Sequence, residues 1–197
     1  MSNQVLMIFT RNPEAGKVKT RLAATIGIKD ALIVYEQLVN QTKVVTEDLP
    51  LDKIVFYSEY IADRDIWSNE VYHKELQEGE ELGARMKNAF ALAFERGYSS
   101  AVIIGTDCPQ LNEHIIQDAF SKLNGVDVVV GPALDGGYYL LGLKENHPFL
   151  FENINWSTDK VLPETINRCS QAGLKFLLLQ PLHDVDEQKD LHVLKLR

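Results

Sequence analysis

The 197-residue chain carries only two cysteines, Cys108 and Cys169, far apart in sequence. They can build neither a disulfide framework nor a tetrahedral thiolate zinc site, and their scarcity points to a reducing, cytoplasmic setting. No stretch approaches the roughly 20 apolar residues of a membrane-spanning helix. The N-terminal run Val5 to Phe9 is also far shorter than a signal-peptide core. Positive charge is in deficit, with 20 lysines and arginines against 28 acidic residues and a net charge of −8. That balance argues against a general nucleic-acid binder, which needs a basic surface to neutralise phosphates. With 7 prolines, 12 glycines and 45% hydrophobic residues, the chain is neither collagen-like nor disordered and can bury a sizeable core. Several chemical signatures are missing too: H-x-H and H-E-x-x-H for zinc, G-x-S-x-G for a serine hydrolase, the Walker A loop and the G-x-G-x-x-G dinucleotide fingerprint.

What is present is an alternation of apolar runs and amphipathic stretches. Val5-Leu6-Met7-Ile8-Phe9 stops at a polar, glycine-containing loop, as a strand buried on both faces does. Ala31, Leu32, Tyr35, Leu38, Val39, Thr42 and Val45 recur at three- and four-residue steps and predict a helix ended by Leu49-Pro50. Ile54 to Tyr57, Ala101 to Ile104, Val126 to Val130 and Phe176 to Leu179 predict further strands, with a short extended segment at Val71-Tyr72. Leu82, Met86, Phe90 and Phe94 predict a helix closed by Gly97, and Ile115 to Leu123 and Thr158 to Ala172 predict two more. Tyr138 to Leu143 follows the preceding strand too closely for a helical crossover, which predicts antiparallel pairing. The expected fold is one α/β domain over residues 1–197 with a mixed, mainly parallel sheet.

In such a sheet the ligand crevice lies beyond the carboxyl ends of the strands, where three loops carry the candidate chemistry. The first holds Arg11, Gly16, Lys17, Lys19 and Arg21, four cations within eleven residues of an acidic protein. Such a loop can neutralise a di- or triphosphate that also accepts backbone N–H bonds; a solvated basic loop is the plainer alternative, and the position after the first strand speaks against it. The second loop, Gly105-Thr106-Asp107-Cys108-Pro109, offers Asp107 either as a Mg²⁺ ligand or as a turn and helix-entry acceptor, both readings standing at this point. Cys108 reads as packing. The third, with Asp135, Gly136, Gly137 and Tyr138, suits an acceptor site and equally a tight hairpin. Ser157, Thr158 and Asp186 read first as helix caps. Asp184 or Asp186 is the candidate for a second metal carboxylate.

The motifs K-x-K-T-R-L at Lys17 to Leu22, Q-x-G-x-E-L-G-x-R-M at Gln77 to Met86, I-G-T-D-C-P at Ile104 to Pro109, G-P-A-x-D-G-G-Y-Y-L at Gly131 to Leu140, W-S-T at Trp156 to Thr158 and D-V-D at Asp184 to Asp186 occur in that order. Together they resemble the bacterial glycosyltransferase-A-like family of radical-SAM/selenodomain-associated transferases, formerly a domain of unknown function. That family is similar in turn to the 2-phospholactate and molybdenum-cofactor guanylyltransferases. The resemblance implies a three-layer α/β/α nucleotide-diphospho-sugar transferase fold. It also implies a nucleotide-binding group of Arg11, Gly16, Lys17, Lys19 and Arg21, and a metal site of Asp107 with Asp184 and Asp186 for Mg²⁺ or Mn²⁺. An acceptor side of Asp135, Gly136, Gly137, Tyr138 and Trp156 follows, with Asp107, Asp135 and Lys19 in catalytic roles. The expected protein is a metal-dependent transferase using a nucleotide or nucleotide-sugar donor and a small-molecule acceptor, with neither nucleic acid nor membrane as partner. Glycosyl transfer is the leading reading, nucleotidyl transfer with release of pyrophosphate the alternative, and a non-catalytic nucleotide-binding protein the third. Two departures separate the chain from better-known relatives: the first loop lacks G-x-G-x-R, and Thr106 stands where a D-x-D motif would place its first aspartate.

Overall fold

A computed structural model describes residues 3–194. The first strand, β1 (Gln4–Thr10), is flanked on one side by β2 (Asp52–Tyr57) and β3 (His73–Leu76) and on the other by β4 (Ser100–Ile104). Beyond β4 lie β6 (Tyr138–Leu143), β5 (Val128–Pro132) and β7 (Phe176–Leu178), giving the order β3-β2-β1-β4-β6-β5-β7. Only β6 runs antiparallel to its neighbours, as its short connection to β5 dictates.

Strand residues alternate between two hydrophobic cores, one on each face of the sheet. Leu6 and Ile8 join Val55 and Val102 against α2 (Ile28–Thr46) and α4 (Glu113–Lys122). Val5 and Met7 join Ile54, Phe56 and Ile103 against α3 (Leu82–Glu95) and α5 (Val161–Gln171). The result is the three-layer α/β/α architecture, and it explains why the central strands are continuous apolar runs. Among the described residues no helix is long and apolar enough to cross a membrane.

Three expectations need correction. Residues 20–26 form a helix, α1 (Thr20–Ile26), not the end of a loop; it buries only Leu22, too little to leave an apolar period in the sequence. Val71-Tyr72 is a turn closed by N–H bonds to Ser68 O, and the strand begins one residue later at His73. Tyr72 turns inward, its ring edge-on to Trp67 at 5.0 Å and its hydroxyl 2.9 Å from Thr46 Oγ1. The caps also fall elsewhere. Asn112 caps α4 by accepting the Ile115 N–H at 3.1 Å, which leaves Asp107 outside the helix. Glu187 and Asp190 form the capping box of the final 3-10 helix (Gln188–Val193), so the Asp186 carboxylate is not used as a cap. Lys160 precedes α5 without a side-chain cap, while Thr158 Oγ1 donates to Asn155 O at 2.7 Å and accepts the Lys160 N–H.

Candidate active site

The loops after β1, β2, β3, β4, β5 and β7 all emerge at one end of the sheet. Two polar side chains fasten them there. Asn12, buried, donates to Tyr60 O at 2.9 Å and accepts the N–H groups of Glu59 and Tyr60. Gln77 donates to Thr10 O and Phe56 O, and Arg85 donates back to Gln77 Oε1 and Gly79 O. The Q-x-G segment is thus a brace between β1, β2 and the start of α3. Tyr35 of α2 completes it: its hydroxyl donates to Arg11 O and accepts the Arg11 N–H, both at 2.8 Å.

The centre of the site is Lys19. Its backbone sits in the left-handed region (φ 47°), a conformation costly for a side chain with a Cβ, directly before α1. Its side chain is only 4% exposed, and its ammonium lies 2.8 Å from Asp107 Oδ1 and 3.0 Å from Asp186 Oδ1. Burial pulls the Lys19 pKa down, but the two carboxylates outweigh it and hold the amine above its ordinary value. Arg21 reaches the other oxygen of Asp186 at 3.8 Å. Arg11 and Lys17 point elsewhere: Arg11 donates to Lys17 O, and the exposed Lys17 ammonium is held by Glu14 and Glu59.

Asp186 reaches Asp107 because residues 179–185 are laid across the sheet end. Leu179 N–H bonds Val130 O, Leu182 N–H bonds Pro132 O, and Val185 N–H bonds Asp107 O at 3.0 Å. Val185 is fully buried, so the aspartates on either side flank it at the mouth of the site. Asp184 is half-buried, and its Oδ1 is enclosed without a hydrogen-bond partner. Burial, then repulsion from Asp107 and Asp135, pushes its pKa up to about 8 despite the opposing pull of Lys19. The folded state therefore holds a proton between the ordinary carboxylate range and about pH 8 that the unfolded state releases. Its stabilisation is complete at low pH and is lost as the pH rises through that window. With metal chelated, the melting temperature should fall between about pH 5 and about pH 8.5, and Asp184→Asn should flatten that fall. Equal slopes in thermal scans of the two proteins would acquit Asp184.

The acceptor candidates divide. Asp135 faces this centre closely enough to raise Asp184, while its Oδ1 accepts the Gly137 N–H at 2.9 Å in the β5–β6 turn. The turn is therefore a hairpin whose carboxylate lies near Asp184. Tyr138 does not point to the site: its hydroxyl runs into the layer under α3 and α5, 3.9 Å from Met86 Sδ, and burial raises its pKa. Trp156 lies flat on the start of α3, where a Cβ on Gly83 would fall 2.1 Å from the indole nitrogen. Its Nε1–H is buried without a partner. Cys108 is buried and its thiol is pushed up to about 12, first by burial, as a packing residue's would be.

A metal ion fits this donor set. Asp184 Oδ1 is an enclosed oxygen with nothing to bond, beside the carboxylates of Asp107 and Asp186. Among the described residues no three ligand side chains form a ready-made metal cluster. Magnesium does not need one, since it is held by one or two carboxylates, water and substrate phosphates.

This sheet order, with its antiparallel β6 and its site at the carboxyl strand ends, is the nucleotide-diphospho-sugar transferase fold. The chain belongs to the family described as an uncharacterized protein conserved in bacteria (DUF2064), which matches residues 41–158. It is 34% identical to a protein of Desulfovibrio desulfuricans G20 provisionally assigned as a nucleotide-diphospho-sugar transferase, over 98% of this chain and 86% of that one, with a TM-score of 0.91. More distant structures share the fold. The 4-diphosphocytidyl-2C-methyl-D-erythritol synthase of Anaerococcus prevotii DSM 20548 is 11% identical over 97% of this chain and 93% of that one, with a TM-score of 0.58. Rv0371c of Mycobacterium tuberculosis H37Rv, crystallised with manganese, is 14% identical over 96% of each chain, with a TM-score of 0.54. No curated protein matches the chain.

Proposed function

We propose that the protein is a metal-dependent transferase acting on a nucleotide-activated donor, with a nucleotide sugar as donor and a small hydroxyl-bearing molecule as acceptor. The observation that carries this reading is the buried Lys19 ammonium, fixed between carboxylates from two loops at the end of the sheet. There it would meet the negative charge that grows on a departing nucleoside diphosphate. The assignment of the Desulfovibrio relative supports the same donor class. The narrower likeness to radical-SAM/selenodomain-associated transferases belongs to this reading too.

Asp107 with Asp184 or Asp186 would hold Mg²⁺ or Mn²⁺, whose chemistry is to neutralise and orient the donor phosphates. Lys19 and Arg21 bind the same phosphates from the α1 side, with Gly16, Lys17 and Arg11 along the loop that leads to them. Asp135 orients the acceptor hydroxyl and takes its proton, the tight Gly136-Gly137 turn holds that carboxylate through the Gly137 N–H, and Trp156 supplies an apolar wall beside it.

A second reading, nucleotidyl transfer with release of pyrophosphate, is favoured by one feature. The second carboxylate comes from the Asp184–Asp186 segment and not from a D-x-D sequence at Asp107. The leaving group decides between them. Incubation with nucleotide sugars or nucleoside triphosphates and candidate acceptors should release nucleoside diphosphate; pyrophosphate instead would establish the second reading. Asp107→Asn should lower that turnover about a hundredfold while leaving the melting temperature nearly unchanged, because its carboxylate is half-exposed. An unchanged rate would remove Asp107 from the site.

A further inference from the structure

The two edges of the sheet are built differently. β3, at one edge, is His73-Lys74-Glu75-Leu76, and its charges are engaged, Lys74 with Asp65 and Glu75 with Arg96. Charged side chains keep an edge strand from pairing with another chain. β7, at the other edge, is Phe176-Leu177-Leu178, with neither a charge nor a proline. Leu177 is 41% exposed and Leu178 45%, and as consecutive strand residues they lie on opposite faces of the sheet. Among the described residues, β5 is the only strand bonded to β7.

The main-chain pattern shows what this edge can accept. In the parallel ladder with β5, Lys175 O accepts the Val128 N–H and the Leu179 N–H donates to Val130 O. Odd-numbered residues thus turn their polar groups inward, and the alternation along a strand turns the N–H and C=O groups of Phe176 and Leu178 outward. These two donors and two acceptors are placed symmetrically about Leu177. A second β7 running antiparallel satisfies all of them at once: Phe176 of each copy exchanges both bonds with Leu178 of the other, and the two Leu177 residues meet as the closer, non-hydrogen-bonded pair. The same register covers the exposed apolar surface on both faces. Leu177, level with Val129, meets its own image on the α4 side, and Leu178 meets Phe176 on the α5 side.

We infer that β7 is the contact through which two copies of this chain associate, in a twofold pairing centred on Leu177 that joins their sheets edge to edge. Self-complementarity decides the occupant. The β3 edge of another copy is charged and committed to Asp65 and Arg96, so the head-to-tail pairing that would build an open filament is disfavoured. The contact is short, and the dimer is correspondingly weak, with a Kd on the order of 10 µM.

Sedimentation of the wild-type protein, Leu177→Lys and Val44→Lys reads the association, and mild oxidation of Leu177→Cys and Leu178→Cys reads its register. The wild-type protein should be mainly dimeric at about 200 µM and mainly monomeric at about 1 µM. Leu177→Lys sets two like charges against each other at the twofold axis and should weaken association about tenfold or more, whereas Val44→Lys, on an exposed residue of α2, should leave it unchanged. The chain's own cysteines are buried, so oxidation should link Leu177→Cys into a covalent dimer. Leu178→Cys should stay unlinked, because its image is displaced along the strand beyond disulfide reach. A wild-type protein that is monomeric at both concentrations would overturn the proposal, as would a dimer that Leu177→Lys leaves intact. Should Leu177→Lys fail to fold, the cross-linking pair still decides: a link at 178 in place of 177, or at neither, overturns the antiparallel pairing.

Discussion

Lys19→Met should cut turnover by about a hundred- to a thousandfold and, without nucleotide, bind Mn²⁺ more tightly than the wild-type protein does. The two effects have one origin. The Lys19 ammonium occupies the same carboxylates, Asp107 and Asp186, that a metal would use. Methionine keeps most of the buried apolar stem and removes the charge, so Asp107 and Asp186 are left with only the more distant Arg21 to offset them. A divalent cation restores that offset. The cost to stability should be modest, about 1 kcal/mol, because the carboxylates are 47% and 40% exposed and water can solvate them. Calorimetric Mn²⁺ titration beside a turnover assay reads both effects. Weaker Mn²⁺ binding would mean that Lys19 organises the carboxylates and does not compete for them, and undiminished turnover would exclude it from phosphate stabilisation.

Gly136→Ala should lower the melting temperature by about 5–10 °C, corresponding to roughly 2–4 kcal/mol. Two penalties combine there. Gly136 has φ +93°, and a Cβ would lie 2.5 Å from Asp159 Cα and 2.6 Å from Asp159 O, backbone atoms that cannot swing aside. The Leu162 N–H also bonds Gly136 O at 2.9 Å, which ties the turn to the first residues of α5. Gly173→Ala is the control, since Gly173 has φ +67° but nothing within 4 Å of the added atom. It should cost only about 1 kcal/mol, and a similar loss in the two variants would show that the contact with Asp159 is soft.

The sheet is legible in the sequence because its central strands are buried on both faces and bounded by turn residues. Val5 to Phe9 and Ala101 to Ile104 fit little else, and the short link before Tyr138 fixes the one antiparallel strand. α1 escapes because seven residues with a single buried leucine carry no period. The site is legible only as separate loops. Asp107, Lys19 and Asp186 each stand out, but their meeting depends on Val185 binding Asp107 O, a contact between segments with no local signature. Asp186 has the local look of a cap, yet Glu187 and Asp190 form a better box one residue later. Asn12 and Tyr35 give no sign in the sequence that they organise the site. An asparagine after a strand and a tyrosine on an apolar helix face look like a turn residue and a core residue, and only tertiary contacts reveal what their polar ends hold.

The bond from Lys19 to Asp186 spans 167 positions of the sequence. A nascent chain can pair β1, β2, β3 and β4 and cover them with helices while the segment that completes the aspartate group is still unmade. Contacts of such separation close late, because the entropy of closing the long loop must be offset before the contact is gained. Chemical competence should therefore appear as the final event of folding, after native secondary structure has formed.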